Sequence, residues 1–549
     1  MDIHLDACKI DELIVHIHDP VWQARTLTMA EHATPQESAA LLYELIARGD
    51  PDPERRPVLH LLALACWQLM PDVSKTLSKT VQQRARMLIP PRNMAQVKAL
   101  ATAGALAIKP IEQYLLQKQG SISSSACAYC IRALALVGNE AAFLALEAYV
   151  QAIPQPFLTY DTHNRPLAEL LLARANFEQA EYGRRVLAPL LRTTQRLVLD
   201  RDYSLVELPA LDALQHVTLQ GTCKPETLQP LTAAPGLGGL TVSSSFELKH
   251  LKGIECLHHL QEVYLDSCPH LTDVSALSLL PNLKKLSITR VKLTALKGLQ
   301  EITQIEQLML HRSSETLNLD RIARMSNIRE LCVYDYYVLN DLRALSALAK
   351  LRALTLDKCL DLAQLDGLQD LAQLETLNIY HNGKLSDISA LRTLSSLRTL
   401  RLRHCSQVQH LNDLRELHRL EALDVHYCSA LTDISALASL TSLRSLDLSF
   451  CPQLEHLREL HKLGRLERLN LRNCRALKDI GALAGLPVSE LDLRDCKNLQ
   501  DISILKTLQH LKTLHLPASI AREDVEELAA MPHIKQLYQQ SATTFTAPS

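Results

Sequence analysis

The 549-residue sequence contains few large rings and little glycine. Aromatic residues make up 4% of the chain, and glycine occurs 16 times. The core must therefore be built from Leu, Ala, Ile and Val. The formal net charge is −2 at pH 7, so no basic excess points to nucleic acid or to an anionic membrane as a partner.

Long apolar segments and an export signal are also missing. The longest apolar stretch, residues 58–70, is 13 residues long and includes a histidine, which is too short to span a bilayer. The N-terminus is acidic and lacks the clean apolar segment of a secretory signal. Fourteen cysteines without such a signal predict reduced thiols in a cytoplasmic protein.

The motifs of common catalytic sites do not occur. There is no Gly-x4-Gly-Lys-Ser/Thr phosphate loop, no His-Glu-x-x-His and no Gly-x-Ser-x-Gly. Cys127 and Cys130 have the spacing of a metal or redox pair, but they lie in a strongly helical stretch without a second pair. Two buried helix-face thiols are the better interpretation. We therefore predict a protein that is not an enzyme and that uses no cofactor and no metal.

A repeat occupies the C-terminal part of the chain. Its unit is LxxLxLxxC/NxxLxxLxxLxxLxx, and the steps between units are 20 to 23 residues. This is the leucine-rich-repeat period, in which each turn of a solenoid contributes one short strand and neighbouring strands stack in parallel. The second leucine of each LxxLxL, or the valine that replaces it at 217 and 263, stands at 197, 217, 240, 263, 286, 308, 331, 354, 377, 400, 423, 446, 469, 491, 514 and 537.

The N-terminal part has a different pattern. Apolar residues recur at helical spacing in four segments, which are separated by proline-containing breakers. Residues 130–149 have the form of a HEAT-type repeat, with a turn at Gly138 and Asn139 between two helices. The predicted fold is an α+β solenoid. A HEAT-like α-helical domain spans residues 1–192, and about 16 leucine-rich repeats with a parallel sheet on the concave face span 193–549.

Cysteines recur at one position of the repeat. In a solenoid of this kind the residue after LxxLxLxx points inward, where an Asn usually bonds the backbones of adjacent turns, and Cys can replace it as a small buried donor. Zinc would need four ligands in a tetrahedron, not one per turn. We predict a structural ladder. At steps of 23 residues it consists of Cys359, Asn382, Cys405, Cys428, Cys451 and Cys474.

Two further side chains alternate with a period of 46 residues. Asp387, Asp433 and Asp479 occupy one kind of repeat, and His410 and His456 occupy the other. We interpret them as solvated loop residues that cap local turns.

The candidate binding surface is the concave face of the predicted sheet. Within each LxLxx the leucines face the core, and the residues between and after them face outward, as for Asp447, Ser449 and Phe450. Aromatic and arginine side chains are the usual hot spots of protein interfaces, and mixed charge suits a protein ligand better than a polyanion. The alternative is an exposed sheet that binds nothing. The candidate protein-binding residues are Tyr334, Tyr380, His381, Arg401, Arg403, His404, His426, Tyr427, Phe450, Arg472 and Arg494.

The helical part also resembles a known family. Residues 18–67, with Trp22 in their first helix, and the stretches 88–115 and 175–191 are similar to the region that follows the NTPase and winged-helix modules in bacterial NACHT proteins. These are STAND NTPases related to animal NLR immune receptors, and in many members this region leads into leucine-rich repeats. The resemblance implies a sensor half. Ligand capture by the repeats relieves autoinhibition, and the NTPase then oligomerises to drive an effector, often in antiphage defence.

The sequence lacks several parts of that family plan. The Walker motifs, the NTPase fold and an effector domain are missing, so no catalytic residue is carried over. We expect either a C-terminal piece of a longer protein or a stand-alone product. The implied partners are a phage or other foreign protein and an NTPase module in cis or in trans. The alternatives are a stand-alone scaffold, an effector or adaptor, and an enzyme inhibitor. Cys8, Cys223 and Cys256 lie outside the ladder and in no recognisable nucleophile context.

Overall fold

The computed structural model describes most of the chain and divides it into two compact units, residues 1–237 and 238–549. The described ranges are 14–70, 72–117, 124–153, 165–191, 195–199, 213–221, 236–246, 248–292, 296–312, 319–539 and 543–546. The single residues 12, 228, 231, 234 and 317 are described as well. Cys8 and Cys223 lie outside the described residues.

The first unit is mainly helical, as predicted for the N-terminal part. A π-helical turn, Gly183–Leu187, joins the last two α-helices of this unit. The helices are α1 Pro20–Glu31, α2 Pro35–Gly49, α3 Arg56–Leu69, α4 Lys75–Arg86, α5 Met94–Thr102, α6 Ala105–Gln117, α7 Ser124–Val137, α8 Glu140–Ala152, α9 Arg165–Ala173, α10 Gln179–Tyr182 and α11 Ala188–Leu191.

Side-chain caps fix where several of these helices begin. Thr34 accepts a hydrogen bond from the backbone N–H of Glu37, whose carboxylate accepts from the backbone N–H of Thr34, forming a capping box at α2. Asn139 caps α8 by accepting from the N–H of Ala142 at 2.9 Å, directly after Gly138 with its left-handed φ of 64°. The predicted helix–turn–helix at this place is therefore present.

A strand lies at each of the sixteen predicted marker positions, which are leucine except for Val217 and Val263. In the first unit two strands pair in parallel, and in the second unit the next fourteen strands pair in parallel with one strand per repeat in chain order. The strands are β1 Arg196–Leu199, β2 His216–Gln220, β3 Gly239–Ser243, β4 Glu262–Asp266, β5 Lys285–Thr289, β6 Gln307–His311, β7 Glu330–Tyr334, β8 Ala353–Asp357, β9 Thr376–Tyr380, β10 Thr399–Arg403, β11 Ala422–Asp424, β12 Ser445–Asp447, β13 Arg468–Asn470, β14 Glu490–Asp492, β15 Thr513–Leu516 and β16 Gln536–Gln539. The predicted leucine-rich-repeat solenoid is confirmed.

The end of the second unit contains two elements that the repeat pattern did not predict. Helix α12, Arg522–Ala529, lies between β15 and β16. Strand β17, Thr543–Thr546, pairs antiparallel with β16.

Short 3₁₀ helices form the return segments of the second unit. The predicted capping role of the aspartates is confirmed, because Asp387 and Asp433 each accept at 2.8 Å from the backbone N–H two residues later. The 3₁₀ helices are Ile254–Cys256, Ser275–Leu279, Leu299–Glu301, Leu319–Arg324, Arg343–Ala347, Ser389–Thr393, Asn412–Leu414, Ser435–Ser439, Arg458–Lys462, Gly481–Leu483 and Ser503–Thr507.

The cysteine ladder lies inside the solenoid, next to the stacked leucines. Cys428 and Cys474 donate to the carbonyl oxygens of Leu402 and Leu448, in the preceding repeat, at 3.0 and 3.1 Å. Burial raises the pKa of the Cys405 thiol to about 12. The thiols therefore stay protonated and act as buried donors between repeats.

Candidate functional site

A column of left-handed residues follows the strands of the second unit. In twelve successive repeats, from Ser244 to Asp495, one non-glycine residue has a φ between 48° and 62°. Such backbone is uncommon outside glycine and asparagine. From Ser244 to Asn473 the N–H of each of these residues continues the ladder between repeats: His404 donates to the His426 carbonyl at 2.8 Å, and Phe450 to that of Arg472 at 2.7 Å. The column therefore keeps the strand register.

Four rings occupy consecutive places in this column and stack on one another. The centroids are 4.6 Å apart for His381 and His404, 4.5 Å for His404 and Tyr427, and 4.2 Å for Tyr427 and Phe450, with interplanar angles of 12–17°. Strand spacing of about 4.8 Å places each ring next to its neighbour in the adjacent repeat. We call these four residues the ring ridge. Because the ring faces cover one another, the edges remain accessible, and Tyr427 is 39% exposed.

His426 packs against the inner side of the ridge. Its ring meets those of Tyr427 and Phe450 edge to face at 4.7 and 5.1 Å. Its Nδ1 lies 2.6 Å from the Ser449 hydroxyl, which in turn lies 2.5 Å from Oδ1 of Asp447. Since the hydroxyl has one proton and the carboxylate can only accept, Ser449 donates to Asp447, and His426 Nδ1–H donates to Ser449.

This chain of three residues is not a nucleophilic relay. In a Ser-His-Asp triad the histidine accepts the serine proton and the carboxylate holds the histidine. Here the carboxylate holds Ser449 instead, and Ser449 is fully buried. Ser449 lies among the side chains of the predicted face, beside Asp447 and His426, but larger neighbours cover its short hydroxyl.

Burial favours the neutral imidazoles of His404 and His426. Burial is the main cause that lowers the pKa of His404, and the charges of His381, His426 and Arg403 lower it further. Burial also lowers the pKa of His426, against the opposing effect of the Asp447 and Asp424 carboxylates. Neutral rings can stack closely without mutual charge repulsion.

Two arginines pack against rings of this surface and pair with carboxylates. Arg403 pairs with Asp424 at 2.5 Å, and its guanidinium lies 5.8 Å from the Tyr380 ring centroid. Arg472 lies 3.3 Å from the carboxylate of Asp495 and 5.5 Å from the Phe450 ring centroid. Both are cation–π geometries. Eight of the candidate residues therefore form one continuous cluster: Tyr380, His381, Arg403, His404, His426, Tyr427, Phe450 and Arg472.

Arg401 lies beside the cluster on the same strand as Arg403. It donates to Oδ1 of Asn378 at 2.9 Å, and Asn378 donates to the Thr355 hydroxyl at 3.1 Å. Within the part of the chain that the structure describes, no carboxylate lies within 4.0 Å of its guanidinium.

The two remaining candidates stand apart from the cluster. Tyr334 lies on β7 and makes an edge contact with His311 at 5.7 Å. Arg494 forms an ion pair at 2.5 Å with Asp492 of its own repeat. Sequence reasoning did not identify the supporting roles of Asp424 and Asp447, since these depend on which side chains meet across repeats.

The described residues do not form a metal site. Among them no group of three His, Cys, Asp or Glu side chains is arranged to hold an ion. His381, His404 and His426 come close, but their rings stack or meet edge to face instead of directing nitrogens to one point. Cys127 and Cys130 are buried, and burial raises the pKa of both thiols.

Comparison with known proteins gives structural similarity alone. No protein-family model matches the chain, and a search of curated proteins gives no match. An internalin from Listeria monocytogenes aligns at 21% identity and a TM-score of 0.39, covering 64% of this chain and 88% of its own. A leucine-rich-repeat protein from Leptospira interrogans aligns at 19% identity and a TM-score of 0.41, covering 64% and 91%. The functional domain of InlJ from L. monocytogenes, which includes a cysteine ladder, aligns at 18% and 0.39, covering 61% and 69%.

No helix of the described residues is both long enough and apolar enough to cross a bilayer.

Proposed function

We propose that the chain is a non-enzymatic recognition module that binds a protein through the exposed face of its second-unit sheet. The observation that carries this proposal is the ring ridge, with Arg472 against its Phe450 ring and Arg403 against the neighbouring Tyr380 ring. Four stacked rings, of which two are histidines, and two arginines share one surface across consecutive repeats. Rigid aromatic and arginine side chains are the residue types that contribute most to protein interfaces.

A display library of bacteriophage protein fragments tests this proposal. Fragments selected by the wild-type protein are measured again with the Tyr380→Ala and Tyr427→Ala double variant. The control is a double variant of the paired surface arginines Arg398→Gln and Arg444→Gln, which belong to the neighbouring ion-pair column. We expect binding to fall at least about tenfold in the first variant, a loss of about 1.4 kcal/mol. Equal binding by all three proteins would contradict the proposal.

The non-enzymatic part of the proposal is supported by the state of the described nucleophiles. Ser449 is buried and donates to Asp447. Burial raises the pKa of the Cys66, Cys359 and Cys496 thiols to about 12, and reactivity requires the thiolate. Cys256 is the exposed thiol among the described residues. A thiol-reactive probe tests this: rapid labelling of any cysteine in the native protein would reopen the enzyme hypothesis.

The biological role that we propose is the ligand-sensing and autoinhibitory half of a bacterial NLR-like (NACHT) antiphage protein acting in the cytoplasm. Its support is the resemblance of the HEAT-like helical part, where Trp22 lies in α1 with its ring stacked on His16 at 5.1 Å. The genomic sequence immediately upstream of Met1 tests this role. An in-frame Walker A motif would support it, and its absence would favour a stand-alone scaffold, adaptor or enzyme inhibitor.

A further inference from the structure

On the exposed sheet face, basic side chains are more exposed than the carboxylates that they pair with. In five ion pairs and one His–Asp hydrogen bond the basic side chain is 34–50% exposed and its carboxylate only 12–32%. A partner approaching this face therefore meets the basic groups first. The pairs are Arg290–Asp266, Lys358–Asp335, His381–Asp357, Arg403–Asp424, Arg472–Asp495 and Arg494–Asp492.

A neighbouring column of ion pairs provides the comparison. It lies just before the strands and alternates in sign from one repeat to the next, and its carboxylates are 40–44% exposed. A partner would meet both signs of charge there. The three pairs of this column are Arg352–Glu375, Arg398–Glu421 and Arg444–Glu467.

The less exposed carboxylates Asp424 and Asp447 each use both of their oxygens as hydrogen-bond acceptors. Asp424 accepts from the His426 N–H at 3.1 Å and from Arg403 at 2.5 Å. Asp447 accepts from Ser449 and, through its other oxygen, from Asn470 at 2.9 Å. These acids therefore hold the sheet face together and offer a partner few free acceptors, while the arginines above them keep donors free.

Arg401 keeps most of its donors free beside the cluster. Its guanidinium carries five N–H donors, and one bond to Asn378 is the contact that the described chain gives it. The ring ridge adds to the same preference, because the edge of an aromatic ring is its electropositive part and the ridge presents edges. A carboxylate can accept two parallel bonds from a free guanidinium.

We infer that the segment recognised by this face is an acidic stretch of a protein, with Asp or Glu carboxylates that bind Arg401 and contact the ring ridge. This inference rests on the proposed function and specifies the chemistry of its partner. An acidic protein segment fits better than nucleic acid because the basic groups are separated by rings and neutralised from below, and the whole chain carries a net charge of −2. A backbone of regularly spaced phosphates needs a continuous basic stripe.

A defined peptide pair tests the inference. The probe is a fluorescein-labelled 12-residue peptide in which Glu alternates with Tyr, and the comparison peptide has Gln in place of Glu. We expect fluorescence anisotropy to show at least about tenfold tighter binding of the Glu peptide, with affinity falling as salt rises. Equal binding of both peptides, or tighter binding of a labelled single-stranded oligonucleotide of equal length, would overturn the inference.

Matched variants of β10 and its preceding turn locate the effect. Arg401→Gln should weaken the Glu peptide about tenfold, which corresponds to one charge-assisted contact of about 1.4 kcal/mol. Arg401→Lys should lose part of the affinity, because it keeps the charge without the two-pronged geometry. Arg398→Gln, three residues away in the alternating column, should stay within about twofold. An equal effect of Arg398→Gln and Arg401→Gln would place the binding elsewhere.

Failure of this inference is separable from failure of the proposed function. If a fragment from the display library loses affinity with Tyr380→Ala and Tyr427→Ala but keeps it with Arg401→Gln, the sheet face binds protein and the acidic preference is wrong. If the tyrosine variant changes nothing, the proposed function fails. Unchanged thermal unfolding of Arg401→Gln is required in each case, which excludes a loss of fold as the cause.

Discussion

Tyr427 and Phe450 stack face to face with their centroids 4.2 Å apart, although both residues have a left-handed backbone, with φ of 59° and 58°. Left-handed conformation costs a non-glycine residue about 1–2 kcal/mol. The N–H of Tyr427 donates to the Ser449 carbonyl at 3.0 Å, and ring packing adds to that bond. Contacts between repeats thus offset local strain and bring side chains 23 residues apart into one surface.

The first prediction concerns the energy of this contact. In a double-mutant cycle with Tyr427→Ala and Phe450→Ala, we expect a coupling of about 0.5–1.5 kcal/mol, the usual value of an aromatic pair. The measurement is the free energy of unfolding in urea. A control cycle of Tyr427→Ala with Tyr334→Ala should give no coupling, because Tyr334 makes its ring contact with His311. Equal coupling in both cycles would show that the stack contributes nothing of its own.

The second prediction is a pH dependence that comes from His404. Its folded-state pKa is lowered from 6.5, so the unfolded chain binds the proton more readily than the folded one. Stability is therefore fully present above pH 6.5, falls as the pH drops below it, and stops falling below the lowered pKa. Two variants that cannot bind this proton are compared with the wild type in urea unfolding between pH 7.5 and 5. His404→Phe keeps a ring in the stack, and His404→Asn suits the left-handed backbone. Both should lose stability less steeply than the wild type.

The opposite outcome is equally measurable. If both variants lose stability with falling pH as steeply as the wild type does, His404 does not link protonation to folding. Burial lowers the pKa of His60, His426 and His515 as well, so part of the wild-type slope should remain in each variant.

The strands were predictable from sequence because their signal is local and repeated. The leucines at 377, 400, 423 and the other markers lie in strands, since a buried leucine every 23 residues leaves one parallel register for stacking. The turn after the strand was partly predictable. Simple alternation would turn His381 inward behind Tyr380, but its left-handed φ of 56° breaks the alternation and leaves both outside the core.

The interactions within the candidate site were not predictable. The pairing of Arg403 with Asp424, 21 residues later, and the donation from His426 to Ser449 depend on side-chain rotamers across neighbouring repeats. Nothing in the local sequence distinguishes Ser449, which is buried, from half-exposed residues at the same position of other repeats. The exposure of each charged group likewise depends on packing. Composition shows only that the chain carries both signs of charge.

The third prediction tests the place of asparagine in the cysteine ladder. Asn382 is fully buried and donates to the Leu356 carbonyl at 3.1 Å, but its Oδ1 has no hydrogen-bond partner in the described structure. A buried acceptor without a partner costs about 1–3 kcal/mol. Asn382→Cys keeps a donor of similar size and removes that acceptor, so we expect stabilisation by about 1 kcal/mol in urea unfolding.

The reverse substitution is the control for the ladder. Cys428→Asn places the same unsatisfied amide oxygen beside the Leu402 carbonyl, to which Cys428 now donates at 3.0 Å, and should destabilise by about 1–3 kcal/mol. Destabilisation by Asn382→Cys would show instead that the amide makes a contact that the thiol cannot replace.

The last prediction separates two glycines of the second unit. Gly367 has a φ of 105°, and a Cβ there would lie 2.4 Å from Cα of Arg343 and from the carbonyl oxygen of Leu342, in the preceding repeat. Gly367→Ala must push the two backbones apart or abandon the turn, so we expect destabilisation of more than about 2 kcal/mol.

Gly464 has no atom within 4 Å of its would-be Cβ and no left-handed φ. Gly464→Ala should leave stability unchanged or raise it by up to about 1 kcal/mol, because it restricts the unfolded chain alone. Urea unfolding of both variants measures the difference, and equal effects would mean that the close approach of these repeats is not required for stability.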